Sequence, residues 1–177
     1  MTGIKEKPEI LLFSPEKGIT AYLLRGEFIS RNDQRGAVMS ILKTVLGDGI
    51  QLLHDSEGAP VLPPGMPNIS VSHCRKAVAV ALSPERYVGV DVEPWNDRLR
   101  KVAPRFLFPS EKVFFSSSQP DLLRAWTFKE AVYKLLHFSP DPPVVLTAVS
   151  LFDSRVSSAT LHIDDMALTV AWNRESF

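Results

Sequence analysis

Three strand-like stretches crowd the middle of this chain with only four residues between one and the next, and they leave little freedom in fold class. Asn68 to Ser72 alternates polar and apolar side chains, Ala77 to Leu82 is a continuous apolar run, and Tyr87 to Glu93 alternates again. The breaks, His73-Cys74-Arg75-Lys76 and Ser83-Pro84-Glu85-Arg86, read as turns. A sheet must therefore form here, and the flanking segments decide what covers it.

Upstream, Ile10 to Phe13 and Ile19 to Leu24 read as a hairpin joined by Ser14-Pro15-Glu16-Lys17-Gly18. From about Asn32, Val38, Ile41, Leu42, Val45 and Leu46 recur at helical spacing until Gly47 and Gly49 end the pattern. Pro60 to Pro67 holds four of the 14 prolines and reads as a connecting loop. Downstream, a helical stretch begins near Ser110 and a longer helix runs from Asp121, its expected N-cap, to about Leu136. Strands follow near Val144 to Phe152, Ala159 to Ile163 and Ala167 to Trp172. Each half thus runs strand, helix, strands. The expected fold class is α+β, with two similar halves, residues 1–85 and 86–177, packed across a pseudo-twofold and a site in the crevice between them.

At 177 residues, one buried core or two small halves sharing one is the natural size. Twenty basic residues balance 20 acidic ones, so no whole-molecule field marks a nucleic-acid binder. Cys74 is the only cysteine, which excludes an intramolecular disulfide and a thiolate zinc cluster. Ile10 to Phe13 is too short for a signal-peptide core or a membrane span, and a cytoplasmic protein is expected.

Two acidic clusters carry the chemistry. On a strand, Val88, Val90 and Val92 face one way while Gly89, Asp91 and Glu93 face the other. The two carboxylates then share a face with Cα atoms roughly 6.5–7 Å apart, a span that one magnesium ion with ordered waters can bridge. By itself such a pair is also the ordinary polar face of an edge strand. On the later helix, Glu130 and Lys134 are four apart on one face with Trp126 a turn earlier, and Lys129 lies one step around. A Glu-Lys pair at this spacing is commonly a solvated surface bridge. Here Leu122, Leu123, Val132, Tyr133 and Leu136 surround it, so the helix is largely buried and its charges need partners. Three hard oxygen donors beside two cations suit magnesium and a diphosphate.

Other polar residues signal less. His73, after Ser72 and before Arg75 and Lys76, can offer donors to a phosphate, although a histidine at a strand end is ordinarily a turn residue. His54, His137 and His162 fall in no metal-ligand spacing and receive no role. Nothing pairs Cys74 with a base. Glu111 stands near a helix start, where the helix dipole alone favours an acid.

In order, Asn68-Ile69-Ser70-Val71-Ser72-His73, Val88 to Glu93, Arg105-Phe106-Leu107 with Glu111, and Trp126 to Lys134 resemble the motifs of the 4′-phosphopantetheinyl transferases. The resemblance spans about residues 30 to 135 and is to the longer, monomeric, surfactin-synthetase-activating type. It implies transfer of the phosphopantetheine arm of coenzyme A to a serine of an apo acyl or peptidyl carrier protein, releasing adenosine 3′,5′-bisphosphate. Fatty-acid, polyketide and nonribosomal-peptide carriers all fit. By the same resemblance Asp91, Glu93 and Glu130 would hold Mg²⁺, with Glu130 and Lys134 catalytic. Lys129 and Lys134 would meet the diphosphate, and Ser72, His73, Arg31 and Arg35 the nucleotide. Two departures stand out: Gly58-Ala59-Pro60 replaces the family's Gly-Lys-Pro, removing a lysine that helps bind coenzyme A, and the interval from Asp91 to Trp126 is trimmed around Ser116 to Pro120, where relatives contact the carrier. The competing readings are a weak or inactive coenzyme A-binding regulatory protein of the same fold and an unrelated magnesium phosphohydrolase.

Overall fold

A computed structural model describes residues 9–115, 118–136 and 150–174. Strands β1 (Ile10–Glu16) and β2 (Ile19–Arg25) form the first hairpin. The strands run on through Ser14 and Glu16, so the turn shrinks to Lys17-Gly18, with Gly18 at φ +80°. Helix α1 (Arg31–Leu46) follows, opened by a reciprocal cap in which Ser30 Oγ accepts from Asp33 N at 3.1 Å and Asp33 Oδ2 accepts from Ser30 N at 2.8 Å. Gly47, at φ +102°, closes it.

The proline-rich stretch is not wholly a loop. Its first residues form β4 (Pro60–Val61), which pairs with β3 (Leu53–His54), two residues being enough because Pro60 sits on an edge. Strands β5 (Asn68–His73) and β6 (Ala77–Ser83) complete an antiparallel sheet of order β1-β2-β6-β5. A second antiparallel sheet, of order β7-β9-β8, is built from β7 (Val88–Pro94), β8 (Val156–Ile163) and β9 (Met166–Asn173). Between β7 and β8 lie α2 (Arg98–Phe106), α3 (Pro109–Phe115) and α4 (Gln119–Leu136). Sequence periodicity missed α2 because Pro104 lies inside it and it is only nine residues long. Asp121 is not the cap of α4: Ser118 Oγ accepts from Asp121 N at 3.2 Å, which places Asp121 inside the first turn. Of the strand expected near Val144 to Phe152, residues 144–149 lie outside the described residues, and Leu151 and Phe152 form a turn.

Alternation along β6 explains the layering. Ala77, Ala79 and Ala81 face the second sheet, meeting Val88, Val90 and Val92 of β7 and Met166, Leu168, Val170 and Trp172 of β9. Val78, Val80 and Leu82 point the other way, beneath Ala37, Val38, Ile41 and Leu42 of α1. Small residues on the inner face let the sheets close together, and branched ones on the outer face fill the space under the helix. On the far side, Gly89 of β7 lies so close to α4 that a Cβ there would stand 1.9 Å from the Ala131 carbonyl oxygen. The molecule is thus an α+β structure layered helix, sheet, sheet, helix. Glu16 ties the sheets laterally, accepting from Trp172 Nε1 at 3.0 Å and from Arg86 Nη1 at 2.6 Å. Among the described residues no helix is long and apolar enough to cross a membrane.

Candidate functional site

Strand β5 is the edge of the first sheet and β7 the edge of the second, and their junction builds the site. An edge strand has unpaired N–H groups that require acceptors. Serine hydroxyls meet the requirement: Val90 N donates to Ser70 Oγ at 3.0 Å and Val92 N to Ser72 Oγ at 3.3 Å. The period-two alternation of β5 aims Ser70 and Ser72 at β7 and sends Val71 and His73 to the opposite side.

Ser72 Oγ in turn donates to Asp91 Oδ1 at 2.8 Å. Lys134 Nζ, from α4, donates to the same oxygen at 2.8 Å and to Val90 O at 3.0 Å. Asp91 is only 3% exposed, yet its second oxygen, Oδ2, is buried with no hydrogen-bond partner. A carboxylate held firmly by one oxygen and orphaned at the other has room at the second for a donor or a cation. Around it stand more carboxylates. Burial, reinforced by the charge of Asp91, pushes Glu130 up to about 7; burial, then Asp91 and Glu130, does the same to Glu93, while Lys134 opposes both shifts. The three acids of β7 and α4 are therefore electrostatic neighbours that cannot all ionise without cost. Among the described residues no group of three or more histidine, cysteine, aspartate or glutamate side chains is placed so that it could hold a metal ion.

Lys129 and Glu111 belong elsewhere. Both are 0% exposed, and Lys129 Nζ lies 2.7 Å from Glu111 Oε2, an ion pair rather than an aligned hydrogen bond, and 4.6 Å from the centre of the Phe108 ring. Glu111 also accepts from Phe108 N at 2.9 Å and from Leu151 N at 2.7 Å. The ammonium of Lys129, expected to meet a diphosphate, is thus sealed between α3 and α4. The hydroxyl of Ser72, expected to meet the nucleotide, is engaged by Asp91 and Val92 on the β7 side of β5. Cys74 is buried, and burial pushes its thiol up, which disfavours a nucleophilic thiolate.

The opposite face of β5 opens on a cavity of about 730 Å³, within the range of small-molecule sites. Arg31 and Arg35 from the first turns of α1 line it together with His73. So does His54, to which spacing assigned nothing; only the β3–β4 hairpin brings it here, and no local pattern announces that. Among the described residues no carboxylate lines this cavity.

No curated protein matches the chain. A family model, that of the 4′-phosphopantetheinyl transferase superfamily, matches residues 87–177. The matched half contains Asp91, Glu93, Glu130 and Lys134, whereas Ser72, His73 and the basic cavity precede it. With just over half of its length covered and the acidic junction inside the match, the chain belongs to the 4′-phosphopantetheinyl transferase superfamily.

Proposed function

We propose that the chain moves the 4′-phosphopantetheine group of coenzyme A to a serine hydroxyl of an apo acyl or peptidyl carrier protein, with Mg²⁺, as a cytoplasmic monomer of the longer family type whose halves, residues 1–85 and 86–177, are related by a pseudo-twofold. The observation that carries the reading is the orphaned Oδ2 of Asp91, buried beside two further carboxylates that burial keeps from ionising freely. A divalent cation would answer both needs at once, so the chemistry of the donor set suits the ion that the family implies, although among the described residues no three donors converge on one point. Asp91, Glu93 and Glu130 would hold it, and when bound it would neutralise charge on the diphosphate oxygens.

The chain's own groups supply the rest. The serine oxygen attacks the phosphorus that carries the pantetheine arm; the bond from that phosphorus to the bridging oxygen breaks, and adenosine 3′,5′-bisphosphate leaves. Glu130 takes the serine proton, its carboxylate being near enough to feel the charges of Asp91 and Lys134 and more basic than a free one. Lys134 spends two of its three N–H donors on Val90 and Asp91, and with a 28% exposed side chain it turns the third toward the leaving diphosphate. Arg31, Arg35 and His73 hold the nucleotide in the basic cavity across β5. Transfer is then a matter of positioning and charge, as phosphoryl chemistry generally requires.

Mass spectrometry of several apo carrier proteins incubated with coenzyme A, Mg²⁺ and the protein tests the reading. A phosphopantetheine mass gain on the serine of at least one carrier is expected. Binding of coenzyme A with no gain on any carrier would instead favour a non-catalytic regulatory role.

A further inference from the structure

We infer that His54 is a phosphate-binding side chain of the basic cavity, where it recognises the phosphomonoester of the nucleotide and takes the place of a cation at position 59. The inference rests on the coenzyme A reading above. Four groups able to carry positive charge, Arg31, Arg35, His54 and His73, line one cavity with no carboxylate from the described residues among its walls. None of the four side chains makes a hydrogen bond or ion pair within the described residues. Elsewhere the exposed cations Arg25, Lys76 and Arg155 each pair with an aspartate. A cluster able to carry this much positive charge with no acid beside it attracts an anion.

His54 is held in place. Its partner across the hairpin is Pro60, and the intervening turn is pinned by Asp55 Oδ1, which accepts from both Glu57 N and Ala59 N at 2.9 Å, with Gly58 at φ +86°. Asp55 N also donates to Ala59 O at 3.0 Å, closing the turn behind the imidazole. Strand β4 packs beside β5, which carries His73, so two imidazoles from separate elements reach the same space. Ala59 is the immediate neighbour of Pro60, and a lysine there has the length to reach the volume that His54 lines. The reacting diphosphate must lie toward Asp91, Glu130 and Lys134, on the other side of β5. The phosphate left for the cavity on the α1 side is therefore the one remote from the reaction, the 3′-phosphomonoester. His54 contributes a directed donor to it, a charge-assisted bond when the ring is protonated.

Calorimetric titration of coenzyme A and of dephospho-coenzyme A into the wild-type protein, His54→Ala and His54→Ala/Ala59→Lys tests this. The inference predicts that His54→Ala weakens coenzyme A by about tenfold and leaves dephospho-coenzyme A unchanged, and that Ala59→Lys restores the loss. A purely structural role for His54 would weaken both ligands equally, which would overturn the assignment, as would a His54→Ala protein that binds both ligands like the wild type. If the wild-type protein itself binds neither ligand, the coenzyme A reading fails together with this one.

Discussion

Two lysines five residues apart on α4 meet opposite fates. Lys129 and Glu111 form a closed unit: both are fully buried, an aromatic ring faces the ammonium, and the carboxylate oxygens are taken up by Lys129 and two backbone N–H groups. Lys134 and Asp91 form an open one, with the lysine partly exposed, one aspartate oxygen orphaned and two more acids alongside. Distance does not separate the pairs, since one measures 2.7 Å and the other 2.8 Å. What separates them is access and company, since Lys129 Nζ, like Asp91 Oδ2, is buried without an aligned hydrogen-bond partner, but only the second pair is partly open and flanked by further acids. A sealed pair joins elements, in this case α3 and the Leu151 turn to α4, whereas a partly open one with like charges beside it marks where something else can bind.

The largest expected contrast lies in activity. Asp91→Asn or Glu130→Gln lowers transfer by on the order of 10²–10³-fold, because each removes charge from the site that stabilises the diphosphate, while circular dichroism and the thermal midpoint show an intact fold. Loss of activity together with loss of fold would assign Asp91 to the same structural class as Glu111. Next comes stability. Lys129→Met leaves Glu111 buried and unpaired and weakens folding by about 3–5 kcal/mol in urea denaturation, whereas Lys129→Met combined with Glu111→Leu recovers most of it. Activity per folded molecule in the double variant stays near the wild type; a hundredfold fall would return Lys129 to the diphosphate.

The smallest effect is a pH dependence. Glu93 and Glu130 sit near 7 when folded and near 4.5 when unfolded, so the folded state binds their protons more tightly. Their contribution to stability is fully present below the unfolded value and is lost as pH rises through about 7. Differential scanning calorimetry of the chelated protein should show the midpoint falling by several degrees between pH 5 and pH 8, at roughly 2–4 °C per kcal/mol for a chain of this size. Added Mg²⁺ should restore more at pH 8 than at pH 5. A Mg²⁺ effect independent of pH would place the ion away from these carboxylates.

Much of this was legible in the sequence because it depends on local periods. Strand alternation separated Val88, Val90 and Val92 from Asp91 and Glu93, and helical spacing put Glu130 with Lys134. What stayed hidden depends on long-range packing. No local pattern says that Glu111 captures Lys129 from eighteen residues away, or that Ser72 turns toward Asp91 while its neighbour His73 turns from it. The two-residue pairing of β3 with β4 is shorter than any periodicity can register, yet it alone delivers His54 to the cavity. In α2, Pro104 disguises a helix that tertiary contacts of Leu99, Ala103 and Phe106 nevertheless stabilise.

Titration with Mn²⁺ as a paramagnetic substitute for Mg²⁺, followed by electron paramagnetic resonance, addresses the acidic junction itself without recourse to turnover. One tight site is expected in the wild-type protein, abolished by Asp91→Asn and by Glu130→Gln and unaltered by the paired change at Lys129 and Glu111. An undiminished site in Asp91→Asn, or one removed by the Lys129 and Glu111 change, would contradict the account.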